Sequence, residues 1–147
     1  MVHALERAKD IVGPGGIVIV VHDGRIPPTI ELHQGPARTI AGWLHDHEGF
    51  PMVRRADQAV DSLLVSGQFT LINQSEFVYR TRIDSYDGFL EWMDQQWETT
   101  YLTVQTEELI KARFAEGGKD TIVIVHRKAR IRSLQVKRLE VIIGGCG

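Results

Sequence analysis

The sequence predicts an α/β fold in which helices and apolar strands alternate along the chain. Residues 17–21 and 121–125 are unbroken apolar or β-branched runs, typical of strands covered on both faces. Residues 53–66 carry apolar side chains at helical spacing, which predicts an amphipathic helix between those runs. The predicted order is helix, strand, helices, strand, helices, strand.

The amino-terminal segment predicts a helix followed by a strand. Residues 2–12 place Leu5, Ala8 and Val12 on one helical face, and the sequence Gly13-Pro14-Gly15-Gly16 ends that helix. The strand at residues 17–21 is expected to be central in a sheet or covered by a partner. Two prolines then make residues 22–28 a loop at the carboxyl end of the strand.

The middle of the chain predicts two helical segments and a second strand. Residues 37–46 have a weak helical pattern, and the stronger helix at residues 53–66 stops at Gly67. A strand is expected to start at Gln68, to run through Ile72, and to resume at residues 77–83 after a polar interruption.

The last third predicts two capped helices and a closing strand. Ser85 can cap a helix that carries Tyr86 and Trp97 on its apolar face, and Thr106 can cap another helix that ends at Gly117-Gly118. The apolar run at residues 121–125 changes to alternation over residues 128–132, where one strand end is expected to leave the core.

Composition excludes several classes of protein. The chain has 147 residues, 43% of them hydrophobic, and a formal net charge of −2, which disfavours a polycationic nucleic-acid binder or a disordered acidic chain. The single cysteine, Cys146, rules out an intrachain disulfide framework. We find no apolar run of roughly 18–20 residues and no secretory leader pattern, so we expect one compact cytoplasmic domain without membrane contact.

Three segments resemble the second half of a class I S-adenosylmethionine-dependent methyltransferase. Residues 4–20, Ala-Leu-Glu-Arg-Ala through the Pro-Gly-Gly turn to Ile-Val-Ile-Val, look like the helix and turn that feed the family's fifth strand. Residues 56–72 look like the helix that ends at a glycine and enters the sixth strand. Residues 117–131 look like the closing antiparallel strand.

The resemblance implies a partial Rossmann-like methyltransferase sheet with flanking helices. Its strands would have the order 5-7-6, with the last strand antiparallel between the other two. It would occupy residues 1–133, leaving residues 134–147 as a tail that departs from the family. The resemblance also implies S-adenosylmethionine as cofactor, a small-molecule methyl acceptor, and in-line methyl transfer.

The family's cofactor loop has no counterpart in this sequence. No G-x-G-x-G follows an apolar strand, and the glycines at residues 13–16 precede their strand instead. The helix that leads into the fifth strand begins directly after Met1, which favours a truncated or split enzyme. The expected partner is therefore a complementary amino-terminal half or a second copy in a homodimer.

His22 and Asp23 are the candidate catalytic residues. They end the first strand at its carboxyl end, where ligands bind in open α/β sheets. His22 could accept a proton from a substrate hydroxyl or amine while Asp23 orients it. The alternative is a loop histidine and a turn aspartate without a catalytic role.

Arg80, Arg82 and Trp92 are the candidate substrate-binding residues. They lie between the strands that resemble the sixth and seventh, a segment that often helps to cover the substrate in the resembling family. Either arginine could clamp a carboxylate, and the indole could stack on a planar acceptor. Tyr86 and Trp97 are better explained as core residues of their helix.

Two further clusters have simpler explanations than chemistry. His45-Asp46-His47-Glu48, with His22, Asp23 or His33, could supply metal ligands, but a solvated helix end explains it better and no metal is predicted. The basic stretch at residues 127–132 could contact phosphates, but the chain's overall charge favours a solvated strand end.

A different class of function also fits the sequence. The strand at residues 17–21 would leave an open sheet edge, and unpaired backbone groups invite pairing with another strand. The chain would then be a non-enzymatic interaction module that self-associates or binds a partner.

Overall fold

The computed structural model describes residues 2–96, 98–117 and 120–138 of the chain. The helices are α1 (Val2–Val12), α2 (Pro51–Val65), α3 (Tyr86–Asp94) and α4 (Val104–Gly117). The strands are β1 (Ile17–Asp23), β2 (Thr29–Gln34), β3 (Ala37–Trp43), β4 (His45–Asp46), β5 (Phe69–Ile83), β6 (Thr100–Tyr101) and β7 (Thr121–Val136). The α/β class is therefore confirmed.

The chain forms two compact units. The first comprises the described residues of Met1–His22, Arg54–Ser75 and Arg130–Gly147, and the second comprises those of Asp23–Val53 and Glu76–Ala129. The long strands β5 and β7 contribute residues to both units.

The first unit has a core formed by α1, α2 and the strands beside them. Side chains three apart on α2 and two apart on β1 point inward, as the helical and strand periods require. The buried residues are Leu5, Val18, Val20, Val60, Leu63, Phe69, Leu134 and Val136. Burial of each large side chain stabilises the fold by about 1.5–3 kcal/mol.

The second unit has a separate core beneath α3 and α4. Its buried residues are Ile30, Leu32, Leu44, Ile83, Phe89, Leu102, Ile110, Val123 and Val125. Gly42 lets α4 approach β3, because a Cβ added at this position would lie 2.3 Å from Thr106 Oγ1.

Strand β7 is the centre of the strand pairing. It pairs with β1, β2 and β5, and the main sheet has the order β1-β7-β2-β3, while β4 and β6 form a separate two-stranded sheet. The pairs of β2 with β7 and with β3 are antiparallel. This strand order differs from the predicted three-strand order, because the segment from Thr29 to Trp43 adds two strands.

The expectation of helical structure at residues 37–46 is wrong. This segment forms β3 and β4, and β3 pairs with β2 through a hairpin in which Gln34 faces Ala37. Gly35 occupies the first turn position with φ 55°, and a glycine with positive φ at that position is typical of type II′ hairpins.

Three further predicted elements differ from the structure in their details. Strand β5 is continuous, without the predicted interruption at residues 73–75. Ser85 caps α3, and its hydroxyl accepts a hydrogen bond of 3.1 Å from the Gly88 N–H. Helix α4 begins before Thr106, whose N–H donates to the Thr103 hydroxyl, so Thr103 and not Thr106 provides the cap.

Among the described residues, strand β1 stands at the end of the sheet order and is covered on one face only, so it is not the predicted central strand, and the alternative of cover by a partner stays a prediction. Val18 and Val20 are buried, whereas Ile17, Ile19 and Val21 are 55%, 65% and 55% exposed. We call these three exposed side chains the open face of β1. Within the described residues, no helix has the length and apolar character needed to cross a membrane.

Candidate functional site

Asp23 anchors a polar cluster in the second unit. It is the last residue of β1, and its Oδ1 accepts a hydrogen bond of 2.7 Å from the Tyr79 hydroxyl of β5. Arg127 of β7 brings Nη1 to 3.6 Å from the other carboxylate oxygen, Oδ2. The carboxylate is thus held between a phenol and a guanidinium.

Arg127 is fixed by further contacts on its other sides. Its Nη2 donates a short hydrogen bond to Gln96 Oε1, and its guanidinium carbon lies 5.5 Å from the centre of the Trp92 ring. The side chain is 19% exposed. A cation held by a carboxylate, an amide and an aromatic face is positioned before any ligand arrives, which reduces the entropy lost on binding.

A pocket of about 270 Å³ opens beside this cluster. Its apolar walls are Ile26, Pro28, Leu44, Phe50 and Val53. Its polar groups are Asp23, Gln95, Gln96, Thr100, Arg127 and Lys128. Apolar walls with a few convergent polar groups are typical of small-molecule sites, and this volume is near the lower end of their range.

Phe50 forms its part of the pocket wall from an unusual backbone conformation. Its φ is 54°, in the left-handed region that L residues with side chains rarely adopt. Such a conformation costs about 1–2 kcal/mol, so the surrounding structure must hold it.

The pKa of Tyr79 lies above its ordinary value of 10.0. Burial is the largest cause, because it disfavours the phenolate. The hydrogen bond to Asp23 and the negative charge of that residue act in the same direction, while Arg127 opposes them in part. The Tyr79 hydroxyl therefore stays protonated and donates to Asp23 at neutral pH.

The two predicted catalytic residues have different partners. Asp23 lines the pocket, whereas His22 belongs to the first unit and places Nε2 3.3 Å from Asp57 Oδ1. Successive side chains on a strand point to opposite faces, which explains why neighbours in sequence contact different groups. The catalytic role of both residues stays a prediction.

Asp57 is a buried carboxylate that the sequence analysis missed. Its side chain is 0% exposed, and Oδ1 lies 3.0 Å from Arg130 Nη1 and 3.2 Å from Arg132 Nη2. Arg132 also reaches the more exposed Asp61 at 3.1 Å. The signal was present in the sequence, because Asp57 lies three residues before Val60 on the apolar face of α2.

The basic stretch at residues 127–132 is not the solvated strand end that the sequence indicated. Arg132 is only 6% exposed, and the arginines at 127, 130 and 132 all contact carboxylates. Ala129, between them, is buried as well. The arginines in this part of β7 are therefore paired with carboxylates and not solvated.

Only one of the three predicted substrate-binding residues lies near the pocket. Trp92 is half-buried and supports the Arg127 guanidinium that lines the pocket. Arg80 and Arg82 are exposed on β5 and alternate with Tyr79, so they lie on the opposite strand face and do not line the pocket. Arg127 lines the pocket instead, as the positively charged residue expected there.

The structure describes one of the two aromatic residues that were predicted to lie in the core. Tyr86 packs against the core of the second unit, with ring centres 6.5 Å from Phe89 and 6.0 Å from Phe114. Trp97 lies outside the described residues.

His45 and His47 are engaged in ring stacking. Both imidazoles stack on Tyr101, with ring centres 5.3 Å and 4.1 Å apart. Between them, Asp46 accepts a hydrogen bond of 2.9 Å from the Thr99 hydroxyl and one of 2.7 Å from the Glu48 N–H. Burial would raise the pKa of Asp46, but these hydrogen bonds outweigh it and lower that pKa.

Glu31 forms a second polar cluster in the same unit. It accepts hydrogen bonds from His33 Nε2 at 2.9 Å and from His126 Nε2 at 2.6 Å. Burial would raise the pKa of Glu31, but the hydrogen bonds and charges of the two imidazoles outweigh it and lower that pKa. Within the described ranges, no three His, Cys, Asp or Glu side chains are placed to hold a metal ion.

A second, open groove of about 1240 Å³ lies in the first unit. It is lined by both glycine turns, including Gly13, Gly15 and Gly67, and these turns lie at the amino-terminal ends of β1 and β5. Nucleotide cofactors bind at the carboxyl ends of strands in open α/β sheets, so this groove lies at the wrong end of its strands for that role.

The described residues do not fit S-adenosylmethionine. The pocket at the carboxyl end of β1 has room for a single-ring molecule, whereas this cofactor carries an adenosine and an amino acid. Within residues 2–96, 98–117 and 120–138, no glycine-rich loop follows a strand to bring backbone amides to it.

Comparison of the chain with protein-family models, with characterised proteins and with solved structures finds no match.

Proposed function

We propose that this chain is the substrate-side part of a class I S-adenosylmethionine-dependent methyltransferase that acts on a small molecule. The observation that carries the proposal is the pairing of β7 with both β1 and β5. Each of those two strands follows a helix and a turn that contains a glycine with positive φ, Gly15 before β1 and Gly67 before β5. In the resembling family, the last three strands have the order 5-7-6, so the final strand lies between the other two.

The pocket supports the same proposal, because Asp23 ends β1 at its carboxyl end and lines the cavity. In the proposed enzyme the Asp23 carboxylate accepts a hydrogen bond from the hydroxyl or amine of the methyl acceptor. Tyr79 and Arg127 hold that carboxylate in place, so the acceptor is oriented rather than chemically activated. We propose His22 as a second catalytic residue. The His22→Gln variant tests this role, because a loss of activity without a loss of stability would separate a catalytic role from a structural one.

In this proposal the cofactor site comes from a segment or subunit other than the described residues. The open face of β1, formed by Ile17, Ile19 and Val21, is the surface that we propose it covers. Three large aliphatic side chains in a row are exposed there, and contact with a complementary half would remove them from water.

The test is a titration with S-adenosylhomocysteine, the product of the cofactor. We expect no binding by residues 1–147 alone. We expect micromolar binding after fusion of the strand-one-to-four half of a class I methyltransferase in front of Val2. The matched control carries Ile19→Asp in the same fusion, and it should bind more weakly. A folded fusion that binds no S-adenosylhomocysteine contradicts the proposal.

A second candidate function is the interaction module, which the position of β1 favours. Within the described part of the chain, β1 stands at the end of the sheet order and pairs only with β7. Its remaining edge is available to a strand of another molecule. Light scattering over a wide range of protein concentration tests this candidate, because a constant monomer mass would contradict self-association.

A further inference from the structure

We propose that the pocket beside Asp23 binds a small aromatic acid that carries a hydroxyl or amine, with the ligand carboxylate on Arg127 and Lys128. This inference rests on the proposed function in that it names the class of methyl acceptor. The binding itself requires no cofactor and is tested directly.

The charges of the pocket select a monoanion. Arg127 and Lys128 contribute two positive charges to its lining and Asp23 contributes one negative charge. The Asp23 carboxylate lies 3.6 Å from Arg127 and offsets one of the two positive charges. The net charge of about +1 is matched by one carboxylate, and a cationic ligand is disfavoured.

The geometry provides an anchor for that carboxylate. The Arg127 guanidinium is held by Asp23, Gln96 and Trp92, and an arginine fork of this kind can bind a carboxylate through two hydrogen bonds. The Gly24 N–H donates a hydrogen bond of 2.6 Å to the Lys128 carbonyl, which fixes the backbone of Lys128 beside Asp23. A Cβ added to Gly24 would lie 3.2 Å from that carbonyl oxygen, so the close approach favours glycine.

The apolar walls select the body of the ligand. Ile26, Leu44 and Phe50 face a volume of about 270 Å³, which suits one ring with short substituents. Asp23 and Arg127 both line this volume and approach each other to 3.6 Å, so one small ring can present its carboxylate to the arginine and its hydroxyl or amine to Asp23. The acidic and the hydroxyl ends of the ligand are thus recognised by different residues.

The experiment uses three ring compounds of one shape and different charge. The probes are 3-hydroxybenzoate, its neutral amide 3-hydroxybenzamide, and the cation 3-hydroxybenzylamine, each titrated into the full chain by calorimetry and by two-dimensional NMR. We expect the benzoate to bind at least about tenfold more tightly than the amide, since one charge-assisted hydrogen bond is lost with the amide. The amine should not bind.

Two variants locate the site. Lys128→Gln removes an exposed charge, so the fold should be retained, and it should weaken benzoate binding about three- to tenfold. Arg80→Gln removes an exposed charge outside the pocket and should leave binding unchanged. Arg127→Lys keeps the charge but removes the fork, and it should weaken binding further than Lys128→Gln does.

Three results would overturn the inference. They are equal binding of benzoate and amide, absence of benzoate binding at millimolar concentration, and equal effects of Lys128→Gln and Arg80→Gln. Each is independent of the S-adenosylhomocysteine titration. The pocket can therefore fail while the methyltransferase assignment stands, and the reverse also holds.

Discussion

The Tyr79 hydroxyl donates a hydrogen bond of 2.7 Å to the Asp23 carboxylate, joining two strands whose contacting residues lie 56 positions apart. Both residues belong to the second unit, and the bond places a protonated phenol beside a pocket wall. The contact links the ionisation of Tyr79 to the charge of Asp23.

We expect Asp23→Asn to lower the pKa of Tyr79 toward its ordinary value. The substitution removes the negative charge that, together with burial, raises this pKa above 10.0. Alkaline absorbance titration measures this pKa. The titration curve of the Tyr79→Phe variant is subtracted from that of each protein, so that only the absorbance change of Tyr79 remains.

The raised pKa of Tyr79 determines how the stability of the protein depends on pH in the alkaline range. Tyr79 contributes stability that is fully present below pH 10.0 and is lost as the pH rises through the pKa of the folded state. An unchanged phenol titration in Asp23→Asn would show that the hydrogen bond is absent in solution.

Substitution of Asp57 should strongly destabilise the protein. Asp57→Asn leaves Arg130 and Arg132 without the buried carboxylate that both contact, and breaking such a pair costs about 3–5 kcal/mol. Urea unfolding measures the loss in free energy of unfolding. The matched control is Asp61→Asn, whose side chain is 57% exposed and should cost less than about 1 kcal/mol. Equal losses in the two variants would contradict a special role for the buried group.

Glu31 should make stability depend on pH in the acidic range. Its lowered pKa means that its contribution is present above the ordinary value of 4.5 and is lost as the pH falls through the pKa of the folded state. Glu31→Gln should lower the free energy of unfolding at pH 7 by about 1 kcal/mol, because two partly exposed hydrogen bonds lose their ionic character.

The difference between wild type and Glu31→Gln should shrink as the pH is lowered below 4.5. Thermal unfolding at a series of pH values measures it. A difference that stays constant from neutral to acidic pH would contradict the assigned hydrogen bonds.

A charge should destabilise the fold at one of two adjacent positions of β1 and have little effect on its stability at the other. Ile19 is 65% exposed, so Ile19→Lys should change the free energy of unfolding by less than about 0.5 kcal/mol and should reduce self-association. Val20 is 8% exposed, so Val20→Lys should destabilise the first unit severely. Circular dichroism and light scattering measure the two effects. Severe unfolding of Ile19→Lys would show that the open face of β1 is covered within the molecule.

Regular apolar patterns made part of the fold predictable from the sequence. The helices near residues 2–12 and 53–66 and the strand at residues 17–21 were recognised because their spacing matches one structural period. The hairpin of β2 and β3 is absent from the predictions, although Ile30 and Leu32 of β2 are apolar, buried and alternate with polar residues. Strand β3 has a weaker pattern, and the turn at Gly35 sets the pairing of the two strands.

The site was less predictable than the fold, because it depends on strand pairing. Asp23 was found from its position at a strand end. Arg127 was assigned to solvent because its neighbours in sequence are basic, and only the folded chain brings Trp92 and Gln96 to it. Contacts between residues so distant in sequence leave no local pattern.

The pairing of β1 also constrains how the protein is made. Among the described residues β1 pairs only with β7, and the Gly15 N–H donates to the Val136 carbonyl. A ribosome adds roughly 5–20 residues per second, so β7 is synthesised on the order of ten seconds after residues 17–21. During that interval the nascent chain exposes an unpaired apolar strand. We therefore expect the yield of folded protein to depend on the supply of chaperones.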